Sequence, residues 1–286
     1  MRRNIRTAIG CSVLTLFVVP WGRAQSPSVD SILDQSYREM YNLQFDDALR
    51  TADEAKKVDK TDPMPWVAQA TAELFREFDR FHILRSDIFI SDAAFSARPA
   101  YNWDGDKKKQ FDDALATAEK IAHDRQNRDK NDVKALFALT LVNGLRANDA
   151  ALMGKHNMTS LSFTKAASGF AEKLLALSPN YYDAYTATGM GQYLIGSKPA
   201  PVRWILRIGG FKGDQAEGLK ELTMASEHGR YLAPFARILL AFDDLRRQNR
   251  SEARKKFAWL HDQFPKNPLF VQEMAKCDHP SPPSGQ

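Results

Sequence analysis

The chain has 286 residues, and its 43% hydrophobic content is that of an ordinary soluble protein with a sizeable core, in one elongated or two compact domains. The formal net charge of +5 is concentrated at one end, because Arg2, Arg3, Arg6 and Arg23 precede residue 25 with no acidic residue among them. The remaining body is near neutral, which removes the general basis for nucleic-acid binding.

The first segment reads as an address rather than as part of the fold. Arg2, Arg3 and Arg6 form a charged head, Ala8 to Pro20 an apolar core, and Gly22-Arg23-Ala24 supplies small residues before Gln25. The apolar run is shorter than the ~20 residues a membrane-spanning helix needs. The expectation is a secretory signal peptide over 1–24 and an exported protein, periplasmic or secreted. An uncleaved anchor is disfavoured by the short apolar run. A lipid anchor at Cys11 is disfavoured because Ala8 stands three residues before it and almost no apolar run precedes it. Cys277 is then alone in the mature chain, so no internal disulfide is expected.

Strand-spaced runs of Val, Ile and Thr are scarce, and the abundant Ala, Leu, Lys, Glu, Asp and Arg favour helix. One nine-residue stretch occurs twice, as QFDDALRTA at Gln44–Ala52 and as QFDDALATA at Gln110–Ala118. Each copy places an aromatic residue, an Ala three later and a second Ala four beyond that, continuing to Ala55 or Ile121. All of these fall on one helix face. Small residues there admit a closely packed second helix, and repetition points to stacked helical hairpins.

In chain order, the first unit starts near residue 29, with helices over about Ser31–Tyr41 and from Phe45 to near Lys57. Asp59–Pro63 is a turn, and Pro63 opens the second unit. Trp66 and Ala70 mark its first helix, and Phe111, Ala114 and Ala118 its second. Between them lies an aromatic-rich insertion, roughly Asp79–Lys109, which is expected partly to extend the first helix and partly to cover apolar surface. The third unit starts near 133, with Leu136, Leu139 and Thr140 in one helix, a loop over Ala147–Thr159, then Ala167, Ala171 and Leu174. The fourth starts at 182, with Tyr185 and Gly189, a second insertion over Gly196–Lys212, then Gly218, Leu222 and Ala225. The fifth starts at 234, with Leu240 and Ala241, then Ala253, Phe257 and Leu260. Asn267–Lys276 reads as a capping helix, and residues 279–286 as a disordered tail.

With its bulky-then-small pairs, paired Ala positions and turn prolines in phase, the chain resembles the tetratricopeptide repeat (TPR) family over Val29–Pro268. The resemblance implies an all-α, right-handed α-solenoid of about five TPR-like hairpins with a capping helix, one repeat domain over 25–278. It also implies a concave face lined by the first helix of each unit, where partners dock. Carried over by register, that lining is Met64, Val67, Thr71, Leu74, Lys134, Phe137, Leu141, Asp183, Thr186, Met190, Tyr193, Phe235, Ile238, Phe242 and Arg246, with Phe137, Met190, Tyr193, Ile238, Phe242 and Arg246 the expected contact residues.

Catalytic and metal-binding motifs are not found. No His pair has the i, i+4 arrangement with a Glu between. Asp79 and His82 lack the second such pair that a dimetal site needs. Glu73 and Glu77, among Arg76 and Arg80, read as surface ion pairs. Asp104-Gly105-Asp106 is a turn, without the spacing or closing Glu of a calcium loop. No cofactor is implied. The second insertion is more informative. Over 199–211, Trp204, Ile205 and Ile208 share one face and Arg203 and Arg207 another, a short amphipathic helix. It reads either as a helix tucked against its neighbours or as a contact with a partner, an apolar ligand or a membrane surface.

The expected function is therefore a non-catalytic protein or peptide interaction module, with peripheral envelope association left open. An envelope lipid or apolar-ligand binder working through 199–211 is one alternative, and an enzyme on a helical scaffold the other.

Overall fold

A computed structural model describes residues 27–198, 200, 204, 206, 210 and 213–279. The expected signal segment and the tail after His279 lie outside the described residues.

Among the described residues the chain forms twelve α-helices and no strand. They are α1 (Val29–Tyr41), α2 (Phe45–Val58), α3 (Met64–Arg80), α4 (Asp92–Ala97), α5 (Gly105–Arg128), α6 (Val133–Asn148), α7 (Asn157–Leu177), α8 (Tyr185–Gly196), α9 (Gln215–His228), α10 (Ala233–Arg246), α11 (Arg250–Gln263) and α12 (Pro268–Asp278). The pairs α1/α2, α3/α5, α6/α7, α8/α9 and α10/α11 pack as hairpins, and α12 packs on α11. The fold is thus an all-α solenoid of hairpins with a terminal cap.

The starts of these helices are written in short polar side chains that satisfy the free N–H groups of the first turn. Ser28 Oγ accepts from Ser31 N at 3.2 Å, and Asp104 Oδ1 accepts from Asp106 N at 3.0 Å. Asp132 and Asn267 do the same for α6 and α12. The repeated Ala positions are the hairpin seams. Ala48, Ala52 and Ala55 on α2, Ala114 and Ala118 on α5 and Ala253 on α11 are all buried. On α5 the seam continues at buried Ala122, whereas Ile121 is half-buried. Ala114→Leu is expected to overpack this seam and cost about 1–3 kcal/mol by chemical denaturation.

Two local expectations are corrected. Ala147–Thr159 is largely helical: α6 runs to Asn148, a π-turn covers Asp149–Met153, and α7 opens at Asn157. Glu73 and Glu77 are not at the surface; they are only 1% and 2% exposed. Their arginines still pair with them, Arg76 with Glu73 at 3.7 Å and Arg80 with Glu77. Burial raises the Glu73 carboxyl above its ordinary range, against the opposing pull of Arg76 and Lys107.

The solenoid does not stay open. Its last units turn back onto its first. Arg230, between α9 and α10, donates from Nε to Asp34 Oδ1 at 2.7 Å and from Nη2 to Asp34 Oδ2 at 2.6 Å. Tyr41 Oη donates to Tyr231 O at 2.9 Å. Asn267 Nδ2 donates to Tyr41 O at 2.9 Å, and Lys266 N to Asn42 Oδ1 at 3.0 Å. Phe75 on α3 meets Phe235 on α10 edge-on, with ring centroids 6.0 Å apart.

Candidate functional site

The closure turns the concave face into a cavity of about 350 Å³. Its walls come from α1, α3, α6, α8 and α10, with side chains of α7 and α9, the 83–95 segment and α12 adding to them. Most of the lining is apolar. Nine of the fifteen groove residues expected from the sequence stand around it: Thr71, Leu141, Thr186, Met190, Tyr193, Phe235, Ile238, Phe242 and Arg246. Met64, Val67, Leu74 and Asp183 are instead buried away from it, and Lys134 pairs with Asp62. Phe137 is a correction. It is fully buried in the core, its ring 4.8 Å from Tyr181 and 6.5 Å from Tyr231. Helix α6 is apolar on nearly every side, with Ala135 to Thr140 all buried, so no polar face marks which residues look inward.

The first insertion occupies part of this face. Phe89 stacks on Phe242 at 5.0 Å with the planes 17° apart. Arg246 Nη1 donates to Phe89 O at 3.0 Å and Nη2 to Asp92 Oδ1 at 2.6 Å. That hydrogen bond holds the Asp92 carboxyl below its usual range. Phe81 and Tyr101, 4.7 Å apart, clasp the two ends of the same segment. The insertion thus lays its own aromatic rings along the surface where an extended peptide was expected.

Leu194, 40% exposed, together with exposed Asp92 and Lys198, marks the mouth. Nearby, Tyr193 Oη donates to Asp243 Oδ1 at 2.8 Å. Burial, then the Asp243 carboxylate, pushes this phenol up to about 12. Tyr37, Phe75 and Phe89 are lining residues that sequence register did not identify. Tyr37 sits at the α1 position equivalent to Thr71 on α3, so aligning the first unit with the second would have found it.

The second insertion is described only in part. Arg203, Arg207, Ile205 and Ile208 lie outside the described residues. Trp204 is 66% exposed, so it is not tucked against the core. Trp204→Ala is therefore expected to leave stability within about 0.5 kcal/mol of the parent. A denaturation loss of several kcal/mol would put Trp204 back in the core.

Among the described residues no three His, Cys, Asp or Glu side chains converge as metal ligands. Cys277 is free and buried, and burial raises its thiol pKa.

No family model matches the chain, and no curated protein matches it. Among solved structures it is similar to a thermophilic TPR protein in Thermus thermophilus, with 14% identity, a TM-score of 0.44 and coverage of 87% of this chain and 98% of that one. A likeness of that size carries no functional argument. The hairpin pairing and the seam alanines are what define this chain as an α-solenoid.

Proposed function

We propose that the protein is a binding module whose closed concave face houses an apolar small molecule. The observation that carries this reading is the apolar cavity of about 350 Å³, within the size range of small-molecule sites. Its inner helices come from all five hairpins. The groove, rather than the 199–211 insertion, is thus the seat of the ligand. Catalysis has no part in this reading, since the polar groups at the mouth are engaged with one another: Arg246 with Asp92, and Tyr193 with Asp243.

The test is titration with the neutral fluorescent dye N-phenylnaphthylamine. Saturable enhancement at one site is expected, and Met190→Trp, which puts bulk into the cavity, should reduce it strongly. Absence of saturable binding to the parent protein would overturn the reading.

A second reading concerns the outer surface. Trp204 at 66% exposed and Met158 at 76% exposed are apolar side chains with the character of protein contact sites. They support docking of a protein partner outside the groove, in keeping with an interaction module. Export completes the proposal. It rests on the arginine head and short apolar core before Gln25. Mass determination of the mature protein should show a start near Gln25; full-length protein in the cytosolic fraction would contradict it.

A further inference from the structure

One side of the cavity is a single chain segment thick. Residues 86–98, within the first insertion, place Phe89, Asp92 and Phe95 on the cavity, while Asp87, Ile90, Ser91, Ala93, Ser96 and Ala97 are exposed to solvent. Most of the remaining wall is supplied by paired helices. Asp92 both lines the cavity and is exposed, so the segment reaches the mouth. Across the mouth stands the end of α8, where Lys198 lines the same cavity and lies within electrostatic reach of Asp92.

The segment is fixed at its ends and lightly held between them. Its two buried residues are Ser86 and Arg98. Ser86 donates from both Oγ and N to the Glu273 carboxylate on α12, the backbone bond at 3.2 Å. Arg98 donates to Ala151 O in the π-turn after α6. Between these points, α4 has no buried residue, and among the described helices it is the one without a helix packed along it. It is also self-contained. Ser91 Oγ caps its first turn by accepting from Ala94 N at 3.0 Å, and the Arg98 guanidinium lies over the Phe95 ring at its other end.

The ties that hold this stretch down lie close to solvent. Phe89 stacks on Phe242, Arg246 pairs with Asp92 at 2.6 Å, and Lys276 pairs with Asp87 at 2.8 Å. Lys155 Nζ donates to Ser96 O at 3.0 Å. The Asp92 and Asp87 side chains are 78% and 60% exposed, and exposed pairs are weak and screened by salt. Segments with few buried contacts and solvent-exposed ties open locally before the rest of a fold does. The helices around the cavity offer no comparable door. Parting them breaks the hairpin seams or the buried ties at Tyr41 and Asp183.

We propose that residues 86–98 are the gate of the cavity: a strap hinged at Ser86 and Arg98 and latched by Arg246 and Lys276, which swings outward to admit and release the apolar ligand. This rests on the reading of the cavity as an apolar-ligand site.

The experiment is stopped-flow mixing of the full chain with N-phenylnaphthylamine, with release followed on dilution. The dye is uncharged, so ionic steering does not set its encounter rate. Asp87→Asn and Asp92→Asn each undo one latch at the surface. Each should speed association and release alike by about threefold, and the two together by about tenfold. Asp87 does not line the cavity, so a change of both rates by one factor marks a lowered barrier rather than an altered contact. Added salt should speed the parent in the same way and the double variant far less. Arg254→Gln is the control. It removes an exposed pair with Asp278 that ties α11 to α12 without touching the strap, and both rates should stay as in the parent. Rates in the two strap variants that move no more than in this control would overturn the gate. So would a change confined to one of the two rates in Asp87→Asn. In either case the dye still binds, and the cavity reading stands. Failure of the parent to bind the dye would instead remove the cavity reading and the gate with it.

Discussion

Asp183→Ala is expected to lower folding stability by about 3–5 kcal/mol, read as a shift in the denaturation midpoint. Asp183 is buried beside the start of α8. Its Oδ1 accepts from Tyr231 N at 3.0 Å and Leu232 N at 2.8 Å, and its Oδ2 from Arg230 N at 3.0 Å. One carboxylate therefore shapes the turn that carries Arg230 and Tyr231 back to the first hairpin. Burial raises its pKa, and the three backbone N–H groups pull it back down. Alanine leaves those donors without an acceptor. Water reaches the exposed Arg230, but the N–H groups of Tyr231 and Leu232 become orphans at roughly 1–3 kcal/mol each. Loss of the turn also frees Arg230 from Asp34. Asp183→Asn keeps an acceptor for two of the three donors and should cost clearly less. A loss below about 1 kcal/mol for the alanine variant would show that the turn is held by packing alone.

Phe137→Ala carries a comparable effect, about 3–5 kcal/mol, by deleting a fully buried ring from the centre of the molecule. Phe137 ties α6 to the Tyr181 and Tyr231 rings, so the void opens where three hairpins meet. A groove residue would behave otherwise, with stability nearly unchanged and ligand binding reduced. Denaturation of the alanine variant separates the two. A change below about 1 kcal/mol would return Phe137 to the groove.

Those two residues also show where sequence reasoning reached and where it stopped. The hairpins were legible because their seams are local. Phe45, Ala48 and Ala52 repeat at Phe111, Ala114 and Ala118 with helical spacing, and prolines mark several helix starts. Nothing comparable announces closure. Arg230 and Asp34, or Phe89 and Phe242, are far apart in the chain, and no periodicity links them. The central helices hid their orientation for a related reason. On α6 nearly every side is covered, so the apolar pattern has no edge, and Phe137 was placed one face away from where it sits. On α3 the interspersed arginines made Glu73 and Glu77 look solvated, when exposed Arg80 and half-buried Arg76 reach from the surface to carboxylates that are themselves buried. Met190, Tyr193, Ile238, Phe242 and Arg246 stand around the cavity; they lie on α8 and α10, where Gly189 and Pro234 anchor the register.

The ties between the first and last hairpins change how the molecule comes apart. A linear array of repeats holds each unit only by its neighbours, so it frays from the ends and tolerates loss of a terminal unit. Here α1 and α12 are bound to the same interior through Tyr41 and Asn267, and neither end is terminal in space. Removing either one exposes the other. The fold should melt in a single cooperative transition, and it must bring together residues some two hundred positions apart, such as Arg230 and Asp34. That contact order makes folding slower than is usual for an all-helical chain.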